Sequence, residues 1–329
     1  MKKLFCSDSI FPSYLGHLLG LSKIFHDDQY AQKYSKFISN SDSAWLNQNR
    51  ELFQWGNGMA GPLFGYCLLI AGYVNPSNTK RIREYYDSLI LLGNTANVSG
   101  LLKAFPELKS YQLNWGRLDH PQAIEMLKNY TSEITEFKNI LIGNWDKFQT
   151  NVWPVEQKQI LHAANIINSK LFNYGLIEKW EWATGLEFQC NQYEFVLSSG
   201  MSKAPRFNSL GYDKNWVYYE TPLLFESIIH EIGTHLLRPI KQNIKGNFDY
   251  LCVYNTFETL CCVLTEKIFT DLDLKGSILK DSKVFDSEAY DFYTKQIETL
   301  PVLDLSELLL KYLDLRKKNL SQSLGNGLQ

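Results

Sequence analysis

Apolar residues in the stretch Leu223–Arg238, LLFESIIHEIGTHLLR, return every four positions at Leu224, Ile228, Ile232 and Leu236. That is the period of one buried helical face. Thr221-Pro222 supplies a start, with Thr as N-cap and Pro at the first helical position. Pro239 predicts an immediate stop.

The same periodicity marks helices along most of the chain. Residues 1 to about 110 read as a mostly helical N-terminal region: Ser13 caps one segment, Asp27-Asp28 starts another, and Arg81 to Leu92 forms a third. Gly93 to Gly100 reads as the connection to a second region, residues 111–329. There Asp119-His120-Pro121 opens a long helix striped by Ile124, Leu127, Ile134, Phe137 and Leu141. Asn151 to Pro154 breaks it, and a further helix runs from Val155 to Asn173, closed by Gly175.

Between Ile177 and Tyr219 aromatic and β-branched residues alternate with polar ones in EKWEWAT, NQYEFVLSS and NWVYYE, which predicts three or four strands. Later helices are expected at about Tyr250–Phe269, Ser287–Thr299 and Asp304–Lys317. The fold class is α+β: mostly helical, with a small sheet laid over the helix of Leu223–Arg238. The edge of such a sheet could accept an extended peptide as an added strand.

Three groups interrupt the apolar helix: His230, Glu231 and His235. Two imidazoles, a carboxylate and an open water position make a catalytic zinc site, and a Glu beside the first His is placed to take a proton from that water. The separation of five residues is unusual, because on a regular helix it sets the rings about 140° apart. A π-type turn absorbs one residue and returns them to one side. Gly233 is where a distortion meets least resistance, so a π-bulge is expected between Ile232 and Thr234. The alternative is a core helix with two satisfied histidines.

Glu258, in YNTFETLCCVL, stands inside the next apolar helix, where an unpaired carboxylate is costly to bury. It is the expected third ligand. Glu266 is the rival, in a more polar setting beside Lys267.

Composition narrows the function classes. The 329 residues are 45% hydrophobic and 21% charged with a net charge of −2, which excludes disorder as the main state and gives no footprint for nucleic acid or a membrane surface. The best membrane candidate, Met59 to Val74, is too short to span and carries three glycines and a proline. Six cysteines form no C-x-x-C pair, and no secretory signal opens the chain, so a cytoplasmic protein with buried thiols is expected.

HEIGTH followed by Leu236, Leu237 and Arg238 resembles the signature of the microtubule-associated tyrosine carboxypeptidases and their bacterial relatives, a family of zinc metallopeptidases marked by His-Glu-x-x-x-His. The resemblance spans about residues 120–320, with motifs only from 221 to 265. It implies a zincin-like catalytic core in which His230 and His235 hold one zinc ion and Glu231 is the general base. The family's third ligand lies in a segment like TEEGLA, which TFETLC matches at Thr256, Glu258 and Leu260, with Phe257 and Thr259 departing from it. Eukaryotic members remove the terminal tyrosine of α-tubulin, so the implied substrate is a peptide or protein C-terminal tail, tubulin's among the candidates.

An exopeptidase needs a cation for the substrate's terminal carboxylate. Arg206 is preferred for its planar fork, with Lys203 and Arg238 as further candidates. Tyr212, Tyr218 and Tyr254 are candidates for oxyanion stabilisation or an aromatic pocket. A zinc endopeptidase or amidase with the same triad is the alternative within this chemistry. A non-catalytic protein-binding scaffold is the alternative outside it.

Overall fold

A computed structural model describes residues 2–25, 27–56, 59–109, 118–202, 207–221, 223–244, 246, 248–274, 285–299 and 304–326. They form two compact units, Met1–Lys170 with Gln192–Pro222, and Leu171–Asn191 with Leu223–Gln329. The class is α+β: mostly helix, with one small mixed sheet.

In the first unit, β1 (Lys3–Asp8) leads into α1 (Ile10–Leu21), followed by α2 (Asp28–Tyr34), α3 (Asn40–Gln48) and α4 (Arg50–Phe53). A two-residue ribbon pairs β2 (Trp55–Gly56) with β3 (Met59–Ala60). The apolar run beyond it is a π-helix, Phe64–Ile70, continuing into α5 (Ala71–Val74). Tyr85 and Tyr86, on α6 (Thr79–Thr95), donate to the carbonyls of Tyr66 and Cys67 inside that widened helix, each at 2.7 Å. Then come α7 (Val98–Ala104), α8 (Pro121–Asn129), α9 (Thr131–Asn151) and α10 (Trp153–Tyr174). His120 caps α8 through Nδ1, and the expected single long helix is broken at Tyr130. Residues from both sides of position 110 share this unit, Lys138 pairing with Asp87 at 2.6 Å.

The sheet of the first unit is ordered β1-β4-β6-β5, with β4 (Gln192–Ser198), β5 (Phe207–Ser209) and β6 (Lys214–Tyr218). β1, β4 and β6 are parallel, Cys6 facing Phe195 and Phe195 facing Asn215, while β5 runs antiparallel to β6. β1 lies at the edge, and Asn168 covers it as a strand would: its Oδ1 accepts from the Cys6 N–H at 2.6 Å and its Nδ2 donates to the Cys6 carbonyl at 2.9 Å. The expected strand EKWEWAT is instead α11 (Leu176–Thr184) of the second unit. Ile177, Trp180 and Thr184 fall on one buried helical face, so the same letters satisfy the helical period. Gly175, left-handed at φ 54, separates it from α10.

His17 on α1 is buried, with Nδ1 3.1 Å from the Tyr30 hydroxyl, and burial lowers its pKa to about 3. The free imidazole titrates near 6.5. Between those two values the unfolded chain binds a proton that the folded unit refuses. Stability therefore rises with pH across that window and falls on acidification, by at most about 1.4 kcal/mol per pH unit. His17→Gln is expected to flatten this slope, read from amide hydrogen exchange in α1 at stepped pH after correction for the intrinsic exchange rate. An unchanged slope would place the acid sensitivity elsewhere.

The second unit holds α11, α12 (Leu224–Gln242), α13 (Tyr250–Asp271), α14 (Ser287–Thr299) and α15 (Leu305–Asn326). Asp286 ties its C-terminal half together: its N–H donates to the Thr259 hydroxyl at 3.0 Å, and its carboxylate takes the Tyr312 hydroxyl and the Arg316 guanidinium. Among the described residues no helix is long and apolar enough to cross a membrane. The six cysteines are free thiols, all buried except the half-buried Cys252.

Candidate metal centre

α12 is buried on most of its circumference, Ile228, Ile229, Ile232, Leu236, Leu237 and Ile240 all lying in the core. Its start differs from the expected cap, since Leu223 is the N-cap in a left-handed conformation at φ 57 and Thr221 stands outside the helix. Its end differs too. Pro239 lies within the helix, which continues to Gln242. Proline deprives the His235 carbonyl of the usual donor four residues on, and the helix runs past the loss.

His230 and Glu258 meet. The imidazole Nε2 lies 3.3 Å from Oε2 of Glu258, which reaches across from α13. On the other side of the ring Nδ1 lies 3.3 Å from the hydroxyl of Thr265. That hydroxyl donates to the Cys261 carbonyl at 2.6 Å, so towards His230 it can only accept, and Nδ1 carries the proton. Nε2 is thereby aimed at Glu258, in the orientation that a partner behind the ring imposes on a metal-ligating histidine. Burial opposes charge on His230, but the hydrogen bond and the charges of Glu258 and Glu231 outweigh it and raise the imidazole pKa. Glu266, the rival carboxylate, instead accepts the Tyr290 hydroxyl.

Glu231 is half-buried beside His230. The Thr234 hydroxyl lies 3.1 Å from its Oε2 and 3.0 Å from its carbonyl. Burial raises the carboxyl pKa; the His230 charge works against that, Glu258 adds to it, and Thr234 and Arg238 oppose it.

His235 faces another way. Its Nε2 is 3.8 Å from Sγ of Cys190 and its ring packs on Phe188 with centroids 4.8 Å apart. Burial and the nearby Arg238 charge lower its pKa to about 3, so the ring is neutral. The expected π-bulge is absent: α12 is α-helical through Ile232, Gly233 and Thr234. Five positions apart on a regular helix, the two rings diverge by about 140°. Among the described residues no three His, Cys, Asp or Glu side chains gather as a metal ion requires. His230 and Glu258 fit the zinc donor set in type and position, whereas His235 fits in type alone.

Gly233 has a packing role in place of the expected distortion. The Trp180 indole lies so close that an added Cβ would sit 2.2 Å from its Cη2, and its Nε1 donates to the Ile229 carbonyl at 3.0 Å. Among the other candidates, Lys203 and Arg206 lie outside the described residues. Tyr212 and Tyr218 belong to the first unit, where the Tyr218 hydroxyl donates to Glu220 at 2.6 Å. Arg238 stands two turns beyond Glu231 on α12, and Tyr254 one turn before Glu258 on α13. Thr265, Trp180 and Lys241 were not among the sequence candidates, because their roles depend on pairings between helices.

No protein-family model, curated protein or solved structure matches the chain.

Proposed function

We propose that the chain is a zinc-dependent carboxypeptidase that removes a terminal residue, tyrosine or another aromatic one, from a cytoplasmic peptide or protein tail such as that of tubulin. The observation that carries this reading is the meeting of His230 and Glu258 at 3.3 Å, with Thr265 behind the imidazole. Two residues of the His-Glu-x-x-x-His…Glu pattern, 28 positions apart, share one point between two helices.

His230, His235 and Glu258 would hold the ion, and bound there it would supply a Lewis acid and an acidified water. Glu231 moves the proton. Its raised pKa brings a carboxyl closer to the range in which it can take a proton near neutrality and return it to a leaving amine. Thr234 steadies the carboxylate at Oε2. The neutral ring of His235 has a lone pair to give, but turning it off Cys190 is not enough: the helix between His230 and His235 would have to take up one residue as a π-turn to bring both rings to one side.

A second reading has its own support. His235, packed between Cys190 and Phe188, has the surroundings of a core histidine, which suits a non-catalytic protein-binding scaffold.

Short peptides ending in tyrosine, offered to the zinc-supplemented protein as free acid and as terminal amide, separate these readings. Release of tyrosine from the acid alone, abolished by a chelator, is the expected result. Internal cleavage or hydrolysis of the amide would move the assignment to an endopeptidase or amidase. No cleavage at all would leave the scaffold.

A further inference from the structure

We propose that Lys241 is the cation that receives the free α-carboxylate of a peptide bound at this site. The inference rests on the carboxypeptidase reading and names the group that would make it an exopeptidase.

Lys241 lies on α12 eleven residues after His230, about 20° away around the axis, hence on the same face three turns on. Its ammonium lies 5.1 Å from the ring centroid of Tyr254 and 4.9 Å from that of Phe257, both on α13. Among the described residues it takes no hydrogen bond and no ion pair, only these two rings. Lys241 and Tyr254 are half-buried, so a ligand can reach them. A partly desolvated ammonium with three donors and no acceptor is completed by an anion. Glu258 acts on it electrostatically but stands beyond ion-pair distance, which leaves that anion's place open.

The spacing suits a terminal residue. Phe257 and Tyr254 precede Glu258 by one and four residues, so the ammonium lies within roughly one or two turns of it, about 5–10 Å along α13. The carbonyl of a scissile bond and the carboxylate of the last residue are about 4 Å apart. With a polar contact of about 3 Å at each end, the pair of partners that grips them is separated by roughly 10 Å. Arg238, one turn before Lys241, adds positive potential.

The test is calorimetric titration of the purified chain with a short tyrosine-ended peptide as free acid and as amide, repeated on Lys241→Met and Lys241→Arg. The acid is expected to bind the wild type about tenfold or more tightly than the amide, as a charge-assisted hydrogen bond implies. Lys241→Met should erase that preference and Lys241→Arg keep most of it. Equal binding of acid and amide to the wild type, no binding of either, or a preference unchanged in Lys241→Met would overturn the proposal. Should Lys241→Met fail to fold, the wild-type comparison and Lys241→Arg still decide. Acid preference without zinc or turnover would keep Lys241 and remove the hydrolase, whereas turnover with an unchanged preference in Lys241→Met would remove Lys241 alone.

Discussion

Trp180→Ala is expected to lower the local stability of α12 by about 3–5 kcal/mol, the range for truncating a large aromatic side chain in a packed core. The indole is fully buried and does two things at once. Its Nε1 holds the Ile229 carbonyl, one residue before His230, and its ring fills the space left by the missing side chain of Gly233. Removal opens a cavity beside the helix and takes a donor from a buried carbonyl. Gly233→Ala attacks the same contact from the other side, and overpacking there is expected to cost about 1–3 kcal/mol. In combination the two should cost less than their sum, because the new methyl enters the space that the indole leaves. Amide hydrogen exchange along α12 reads this directly in a chain of two units, where one global unfolding curve is not a two-state quantity. A change below about 1 kcal/mol for Trp180→Ala would show that the indole does not support the helix.

Glu231→Gln is the second large effect. The amide keeps the shape of the carboxylate and the contact to Thr234, but it cannot take a proton. Turnover of a tyrosine-ended peptide should fall by about two to four powers of ten, the range for general acid–base catalysis. Peptide affinity and bound zinc should stay near wild type. A rate within a few-fold of wild type would take the base role from Glu231.

Much of the helical frame was legible because its signal is local. The apolar four-residue step marked α12, and the apolar run from Tyr250 to Phe269 gave α13, which extends to Asp271. NQYEFVLSS and NWVYYE carry the alternation of β4 and β6. What failed was ambiguous or nonlocal. EKWEWAT alternates like a strand, but Ile177, Trp180 and Thr184 also fit one helical face, and packing chose the helix. β1 leaves little local signal in six residues, since its partner is Gln192–Leu197, far along the chain. Pro239 predicts a stop, yet burial of Leu237 and Ile240 carries α12 past it.

At the site, the cost of burying a lone carboxylate singled out Glu258, which the structure sets against His230. The spacing of His235 predicts a bulge, but the helix is regular, with Trp180 packed on Gly233 at the turn in question. Thr265 and Lys241 gave no warning. A threonine hydroxyl or a lysine on a helix acquires such a role only through the facing helix.

In the proposed site His230, Glu258 and His235 hold one zinc ion together. Elemental analysis of the purified, zinc-supplemented chain and of His235→Ala tests it most directly. About one zinc per wild-type chain and far less in the variant is the expected result, since removing one of three protein ligands from such a site forfeits most of its affinity. No zinc in the wild type, or the same zinc in both, would overturn the three-ligand site. In the first case His235 stays a core histidine; in the second the ion sits elsewhere.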